Sequence, residues 1–327
     1  MYGDCLSASF WLVLAFLGKK FMNISPLAKS GIFLSIGVFI FGFIDNLTLL
    51  ISDQVSVGQF HFTRSIVACS AVLLIAYYRR ENIIPINWSP VLLRTFFNTL
   101  AMLLYFGVIP MMPIAEAGAG LFTSPIFVLL FSFVFFKESI SKVQVIAFAL
   151  GFLGVFLIFG RNFEGFTFYH IFPILAGASY AIGVILTNRY CSKETPLTLL
   201  LCFLVAIGIV GFLITIWFTV YPVDEKYLLE APFLFKGWQE MDAFYWKMIV
   251  FVGLSGATAI YLMILAYQIG RPTYSAIYEY TYLISAGFFG WYLWGTVPTF
   301  LSFIGIIAII LAGTIIAING ALGRNSG

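Results

Sequence analysis

Ten long apolar runs constrain this chain more than any other feature of its sequence. They cover residues 31–51, 58–78, 90–111, 113–136, 142–160, 169–190, 196–220, 244–268, 272–294 and 297–319. A helix needs about 20 apolar residues to cross about 30 Å of hydrocarbon, and each run is close to that length. Only 9% of the residues are charged, against about 25% in soluble domains. The sequence therefore predicts an all-α integral membrane protein with ten transmembrane helices.

The first thirty residues fit this pattern poorly and are predicted to form a lead segment, residues 1–30. Residues 7–18 hold only a short apolar stretch, with no positively charged segment before it. Met22 opens the stretch MNISPLAKSG directly ahead of the first run. We therefore expect residues 1–21 to lie upstream of the native start. The sequence alone does not decide whether Met1 or Met22 is that start.

The lysines and arginines between the runs predict the orientation of the chain in the membrane. With the N-terminus in the cytoplasm, the cytoplasmic side carries Lys19, Lys20, Lys29, Arg79, Arg80, Lys137, Lys142, Arg189, Lys193, Arg271 and Arg324. The opposite side carries Arg161, Lys226 and Lys236. Since positive residues are retained in the cytoplasm, we expect both termini there and a location in the cytoplasmic (inner) membrane.

An internal match suggests that the chain is a repeat. An offset of 159 residues places Pro113 on Pro272 and Gly154 on Gly313. Five runs per half is an odd number, so the second half would enter the membrane from the opposite side. The pattern predicts inverted repeats at residues 31–160 and 161–320, with a tail at 321–327. A chance match of two proline-led, glycine-containing stretches is the alternative.

Two segments carry a resemblance to a known family. Residues 113–141 read PIAEAGAGLFTSPIFVLLFSFVFFKESIS, and residues 144–160 read QVIAFALGFLGVFLIFG. They resemble the drug/metabolite transporter superfamily, in its ten-helix branch made of two EamA-type domains. The resemblance implies secondary transport of small organic solutes. Arg64 and Arg94 also fall where such proteins often carry arginines, whereas the acidic residue expected after the ninth run is absent at residues 295–297.

Asp45 and Arg64 form one candidate pair of charges within the spans. Each lies six residues from the outer end of its run, about 9 Å deep at 1.5 Å per residue. A structural ion pair is the simpler interpretation, and a gate opened by a competing substrate carboxylate is the alternative. His61 lies three residues before Arg64 on the same face, where it serves either as a packing residue or as a proton relay.

Glu279 is the second candidate, about 10 Å deep in the ninth run, without a lysine or arginine at that depth in a neighbouring run. Such a carboxylate could bind a proton or a substrate ammonium group. Tyr278 adjoins it, and helical spacing places Ser275 and Tyr282 on its face. The alternative is a protonated glutamate that joins helices through a hydrogen bond to tyrosine.

Weaker candidates are the uncharged polar residues of the third, sixth and eighth runs, which are expected to line a cavity: Asn98, Tyr105, Ser179, Tyr180 and Tyr261. Arg94 lies four residues into its run and is expected to extend to the membrane surface. The four cysteines show no CxxC spacing and are interpreted as packing residues. No metal or other cofactor is expected.

Together these features favour a secondary transporter working by alternating access. We expect its solute to be a small polar metabolite, such as an amino acid or a similar zwitterion or amine, bound by Glu279 at one end and an arginine at the other. The sequence is compatible with coupling to protons and with exchange for a counter-solute. It is also compatible with a monomer and with a homodimer.

An exporter of lipophilic cations or quaternary amines is the alternative within the same class. An intramembrane enzyme is the alternative of another class, but the chain lacks HExxH, GxGD and GxSxG motifs. The net charge of +3 gives no argument for nucleic acid as a partner, and the remaining partner is the lipid bilayer itself.

Overall fold

The structure, a computed structural model, describes residues 25–108, 114–159, 168–295 and 300–322. Within these ranges all regular secondary structure is helical. The predicted start at Met22 and most of the predicted tail lie outside the described residues.

Helices occupy every one of the ten predicted runs. In chain order they are α1 Pro26–Thr48, α2 Val57–Arg79, α3 Trp88–Val108, α4 Ile114–Leu121, α5 Ser124–Phe136, α6 Lys142–Phe159, α7 Ile171–Arg189, α8 Pro196–Val220, α9 Glu225–Glu230, α10 Pro232–Phe235, α11 Ala243–Ile269, α12 Pro272–Ser275, α13 Thr281–Trp294 and α14 Phe300–Leu322. Two 3₁₀ turns, Phe168–His170 and Ala276–Tyr280, precede α7 and α13.

Six of the described helices are long and apolar enough to span a bilayer: α1, α2, α3, α7 with its preceding turn, α8 and α11. Shorter apolar helices lie at Ser124–Phe136, Lys142–Leu157 and Phe303–Ile316. The chain is therefore a multi-pass membrane protein. A bilayer offers no water to backbone N–H and C=O groups, which explains why helices, with their internal hydrogen bonds, make up these segments.

Polar residues and proline fix several helix starts. The Ser25 hydroxyl accepts a hydrogen bond from the Ala28 N–H at 3.1 Å, and Pro26 follows it. Thr195 accepts from the Thr198 N–H at 3.1 Å ahead of Pro196, and Asp242 accepts from the Tyr245 N–H at 2.6 Å. These caps satisfy N–H groups that lack a partner within the helix. The cap at Ser25 explains why α1 begins at Pro26 and not at residue 31 as predicted.

Two of the predicted runs are interrupted between their ends. The fourth run breaks at residues 122–123, between α4 and α5, and Pro125 lies in the first turn of α5. The ninth run breaks at the 3₁₀ turn Ala276–Tyr280, between α12 and α13. The offset of 159 residues aligns these two runs with each other, with Pro113 on Pro272.

The principal helix contacts join the two halves of the chain. The pairs are α6 with α14, α1 with α11, α2 with α8, α3 with α7, α1 with α13, and α5 with α7. In every pair one helix precedes residue 160 and the other follows it. The halves therefore interleave, and the buried core lies between them.

The two matched glycines pack differently. A Cβ added to Gly154 would lie 2.7 Å from the carbonyl oxygen of Gly305, so this glycine permits the close approach of α6 and α14. A Cβ added to Gly313 would meet nothing within 4 Å. The glycine half of the sequence match therefore does not correspond to an equivalent contact.

The segment from residue 221 to 242 contains the short helices α9 and α10 and is held against the ends of two long helices. The Gln59 side chain on α2 donates to the Gln239 carbonyl at 2.7 Å and accepts from the Gln239 N–H at 2.9 Å. The Trp238 N–H donates to the Thr219 hydroxyl on α8 at 2.7 Å. This segment is thus an ordered cover over one end of the helices.

Candidate functional site

Glu279 lies within the 3₁₀ break of the ninth run and is only 1% exposed. The Ser124 hydroxyl donates to its Oε2 at 2.7 Å, and the Tyr267 hydroxyl donates to its Oε1. Tyr180 lies within hydrogen-bonding range of the same carboxylate. Since Ser124 opens α5, immediately after the break in the fourth run, the two interrupted helices meet at this carboxylate.

The contacts of Glu279 are hydroxyl groups. Among the side chains that the structure describes, no lysine or arginine nitrogen lies within 4 Å of this carboxylate. Hydroxyl donors satisfy its oxygen atoms but do not neutralise its charge. The arrangement leaves the carboxylate able to hold a proton or a cationic group.

The carboxylate faces a cavity of about 60 Å³, here named the Glu279 chamber. Its lining combines apolar and polar side chains: Val38, Phe41, Asp45, Met102, Tyr105, Phe106, Leu121, Phe122, Ser124, Tyr180, Met263, Glu279 and Tyr282. Small-molecule sites generally carry a few polar groups in an apolar wall. The lining of the chamber has the composition of such a site.

A second cavity of about 60 Å³, here named the Arg94 chamber, adjoins the first. Its lining comprises Phe41, Arg94, Asn98, Met102, Tyr180, Val184, Thr187, Phe203, Ile260, Met263, Ile264 and Tyr267. Four side chains, those of Phe41, Met102, Tyr180 and Met263, line both chambers. The chambers are therefore contiguous and receive side chains from both halves of the chain.

Five of the predicted binding residues line these chambers. Glu279, Tyr282 and Tyr105 line the Glu279 chamber, Asn98 lines the Arg94 chamber, and Tyr180 lines both.

Four others, Tyr278, Ser275, Ser179 and Tyr261, line neither chamber. Tyr278 packs against Gly31, where an added Cβ would lie 2.8 Å from its ring, and the Ser275 hydroxyl lies 2.7 Å from that of Ser30. Helical spacing from Glu279 fails for Ser275 because the backbone is not α-helical between them.

The structure does not bring Asp45 and Arg64 into direct contact. Asp45 accepts a hydrogen bond from the Tyr282 hydroxyl at 2.7 Å and lines the Glu279 chamber. Arg64 lies 3.2 Å from Nδ1 of His61, and its guanidinium carbon is 5.2 Å from the centre of the Phe60 ring. Neither described ion pair includes Asp45 or Arg64. Because a hydroxyl from α13 occupies the Asp45 carboxylate, the two charges attract each other only at longer range.

His61 is fully buried beside Arg64. Its Nε2 has no hydrogen-bond partner among the described residues, and its ring packs edge-on against Phe106 with 4.9 Å between ring centres. Its Nδ1 lies toward Arg64. His61 therefore packs between Arg64 and Phe106.

Ser124, Tyr267 and Arg94 are site residues whose role the sequence did not predict. The first two contact Glu279 from other helices, Ser124 from α5 and Tyr267 from α11. Arg94 is 4% exposed and does not extend to the membrane surface as expected. The sequence does contain one indication that Arg94 belongs to the site. Residues 94, 98, 102 and 105 follow helical spacing, which places them on one face of α3.

The described residues contain no group of three His, Cys, Asp or Glu side chains able to hold a metal ion. Cys191 lies in the connection between α7 and α8, and burial raises the pKa of its thiol to about 11. A thiol that stays protonated is a poor nucleophile and a poor metal ligand. The site chemistry is therefore that of hydroxyl, carboxylate, amide and guanidinium groups.

Comparison with known proteins identifies the first half of the chain. Residues 28–160 match the EamA-like transporter family. This chain contains an EamA-like domain. The match includes α1 to α6, and hence the α3 face and the Ser124 break that form one side of the two chambers.

Two relatives of the EamA-like chain carry the names of their solutes. A riboflavin transporter of Brucella anthropi is 24% identical over 187 residues, which are 57% of this chain and 61% of that protein. An S-adenosylmethionine uptake transporter of Rickettsia felis is 22% identical over 273 residues, covering 81% of this chain and 82% of that protein. The chain thus spans about three fifths of the first relative and most of the second.

A solved crystal structure shares the fold of this EamA-like chain. The two agree with a TM-score of 0.68, covering 89% of this chain and 98% of the other, at 14% sequence identity. The agreement extends well beyond the matched residues 28–160.

Proposed function

We propose that this EamA-like protein is a secondary transporter of the cytoplasmic membrane that binds a small organic metabolite with a cationic group at Glu279. The observation that carries the proposal is the meeting of two interrupted helices at this buried carboxylate. The solute would bind between the two halves and cross the membrane by alternating access.

Interrupted helices in corresponding positions of two repeats are a typical feature of transporter binding sites. Irregular backbone within a membrane is tolerated where it is buried in protein or lines a cavity. Both breaks here meet that condition, because Ser124 and Glu279 line the same chamber. Their position supports a binding site at this depth.

The helix contacts support the predicted inverted repeat. If the halves are exchanged, the pair α1 with α11 becomes α7 with α3, and the pair α1 with α13 becomes α7 with α5. Both members of each exchange are among the principal contacts, and α2 with α8 and α6 with α14 map onto themselves. Such symmetry suits a mechanism in which one half rocks against the other.

The chemistry of the chamber favours a cationic or zwitterionic solute. Glu279 supplies a negative charge without a described cationic partner, and tyrosine hydroxyls and rings surround it. An amino acid or a related zwitterion or amine meets these requirements. The names of the two relatives, which cite S-adenosylmethionine and riboflavin, support a small metabolite as the cargo.

Uptake into proteoliposomes tests the proposal. The panel contains labelled amino acids, polyamines, S-adenosylmethionine, riboflavin and a quaternary amine, measured at two pH values. Glu279→Gln preserves shape but removes the charge, so it should reduce transport of the cationic substrate by about tenfold or more. Glu230→Gln, at an exposed residue of the short helix α9, is the matched control and should transport as wild type does.

Equal transport by wild type and Glu279→Gln at both pH values would make Glu279 a structural residue and contradict the proposed site. Transport confined to the quaternary amine would favour the exporter of lipophilic cations. Failure of every member of the panel to accumulate or exchange would contradict a metabolite transporter of this class.

A further inference from the structure

Arg94 is a buried cation without a described counter-charge. Its side chain is 4% exposed and lies at the chamber that bears its name. Among the described residues, no carboxylate oxygen lies within 4 Å of its guanidinium group. Burying an unpaired charge costs several kcal/mol, so such a residue needs a functional or structural reason.

Neutral groups hold the arm of Arg94 in place. Its Nε donates to the Thr187 hydroxyl on α7 at 2.7 Å, and its Nη1 donates to the Leu199 carbonyl on α8 at 3.1 Å. A guanidinium group has five N–H donors, so these two bonds fix its orientation and leave donors for another acceptor. The Asn98 side chain, one helical turn along α3, lines the same chamber.

We propose that Arg94 binds the anionic group of the transported solute while Glu279 binds its cationic group. The inference rests on the proposed function and specifies its substrate class. The two chambers share Phe41, Met102, Tyr180 and Met263, so one molecule can occupy both. A planar guanidinium matches a carboxylate or phosphate through paired hydrogen bonds, which suits an anionic group at this end.

The spacing along α3 separates the two ends of the site. Arg94 precedes Met102, the first α3 residue that lines both chambers, by eight positions, or about 12 Å along the helix axis. A backbone separation of this order suits an extended zwitterion, whose ammonium and carboxylate groups lie at opposite ends of an apolar chain.

The middle of the path has a wall suited to such a molecule. Phe41, Met102 and Met263 present an aromatic ring and two thioethers, which pack against varied apolar shapes. Tyr180 lines both chambers and lies within hydrogen-bonding range of Glu279.

Binding to the purified full-length protein tests the inference. The probes are ω-amino carboxylates of increasing chain length, from glycine to aminooctanoate, and n-alkylamines of equal length without a carboxylate. Dissociation constants come from ligand-induced thermal stabilisation in detergent, since a ligand that binds the folded state raises the unfolding temperature. In wild type, affinity for amino carboxylates should rise with length and exceed that of the matched amine by about tenfold.

Variants separate the two ends of the site. Arg94→Gln should weaken long amino carboxylates by about tenfold and leave alkylamines within about twofold, whereas Glu279→Gln should weaken both series. Arg94→Lys keeps the charge but loses the planar fork, so it should retain part of the preference. Arg271→Gln, at an exposed arginine, is the matched control and should behave as wild type does.

The outcomes distinguish the inference from the proposed function. If alkylamine binding depends on Glu279 but amino carboxylates bind equally to wild type and Arg94→Gln, Arg94 only joins α3 to α7 and α8, and the inference is wrong. If the wild-type protein shows no preference for amino carboxylates over amines, the inference is also contradicted. This outcome does not depend on whether any variant folds. If Glu279→Gln changes neither series, the proposed function itself fails.

Discussion

At the residue scale, both acidic side chains of the Glu279 chamber are held by hydroxyl groups from other helices. Glu279 accepts from Tyr267 and Ser124, and Asp45 accepts from Tyr282. A hydroxyl donor fixes a carboxylate in position without neutralising it, whereas an ion pair with arginine would do both. Neither carboxylate therefore has a charged partner among these contacts.

Replacement of Tyr282 by phenylalanine tests this network. The change removes the donor to Asp45 and the hydroxyl 3.4 Å from that of Tyr105. A buried carboxylate that loses its hydrogen bond should lower the free energy of unfolding by about 1–3 kcal/mol. Tyr292→Phe, at a side chain that is 71% exposed, is the control. Equal thermal stability of the two variants in detergent would show that Asp45 does not depend on Tyr282.

Glu279 could be predicted from sequence because an isolated acid within an apolar run is rare and informative on its own. Its partners could not, because Tyr267 and Ser124 reach it from α11 and α5. Contacts between distant segments depend on where the helices break and cross, which apolar periodicity does not encode. The predicted position of Arg94 was wrong for the same reason. Its distance from the helix end suggested a side chain at the membrane surface, but α7 and α8 enclose it.

At the scale of elements, the length of each apolar run predicts a helix well. The bounds predicted for α8 agree with those observed, Pro196–Val220, because Thr195 and Pro196 mark its start. Neither break, in the fourth run or in the ninth, changes the hydrophobicity of its run, so the length of an apolar run does not predict it. Pro125 is the only local signal at the first break, and the 3₁₀ turn at the second contains no proline or glycine.

The crossing of α1 and α13 depends on a glycine. A Cβ added to Gly42 would lie 2.6 Å from the backbone nitrogen of Ala286, whereas one added to Gly287 on α13 would meet nothing within 4 Å. Gly42→Ala must therefore separate the two helices and should destabilise the protein by about 1–3 kcal/mol. Gly287→Ala should leave thermal stability unchanged or slightly higher. Equal melting temperatures for both variants would contradict this packing.

The connections between helices are also tied together. The Glu194 carboxylate, before α8, accepts hydrogen bonds from the Ile86 N–H at 2.9 Å and the Asn87 N–H at 2.8 Å, before α3. Glu194→Gln exchanges one acceptor oxygen for an amide nitrogen that cannot accept, so one backbone N–H loses its partner.

We expect Glu194→Gln to cost about 1–3 kcal/mol and to speed amide hydrogen exchange at residues 86 and 87. Glu240→Gln, at an exposed acidic residue, should change neither stability nor exchange. Unaltered exchange in Glu194→Gln would mean that the connection before α3 is ordered by other contacts.

At the scale of the whole molecule, the interleaving of the halves and the distribution of positive charge both bear on the topology of the chain in the membrane. Helix pairs such as α1 with α11 and α3 with α7 are exchanged when the halves are swapped. An antiparallel arrangement of five and five helices would place Lys193 and Lys236 on opposite sides of the membrane, in the cytoplasm and outside respectively. Both lie in connections between helices.

Labelling of single cysteines tests that topology. In a chain whose native cysteines are replaced, Lys193→Cys, at an exposed residue, should react with a membrane-impermeant maleimide only after the membrane is opened. Lys236→Cys should react in intact cells, although more slowly than a free loop residue, because residue 236 is half-buried in the ordered segment 221–242. Detergent-solubilised protein, in which both residues are accessible, gives the control rate for each. Reaction of both cysteines from the same side would mean that an even number of spans separates them. An inverted repeat of five and five helices requires one span between them, so this result would contradict it and the binding of substrate between two exchangeable halves.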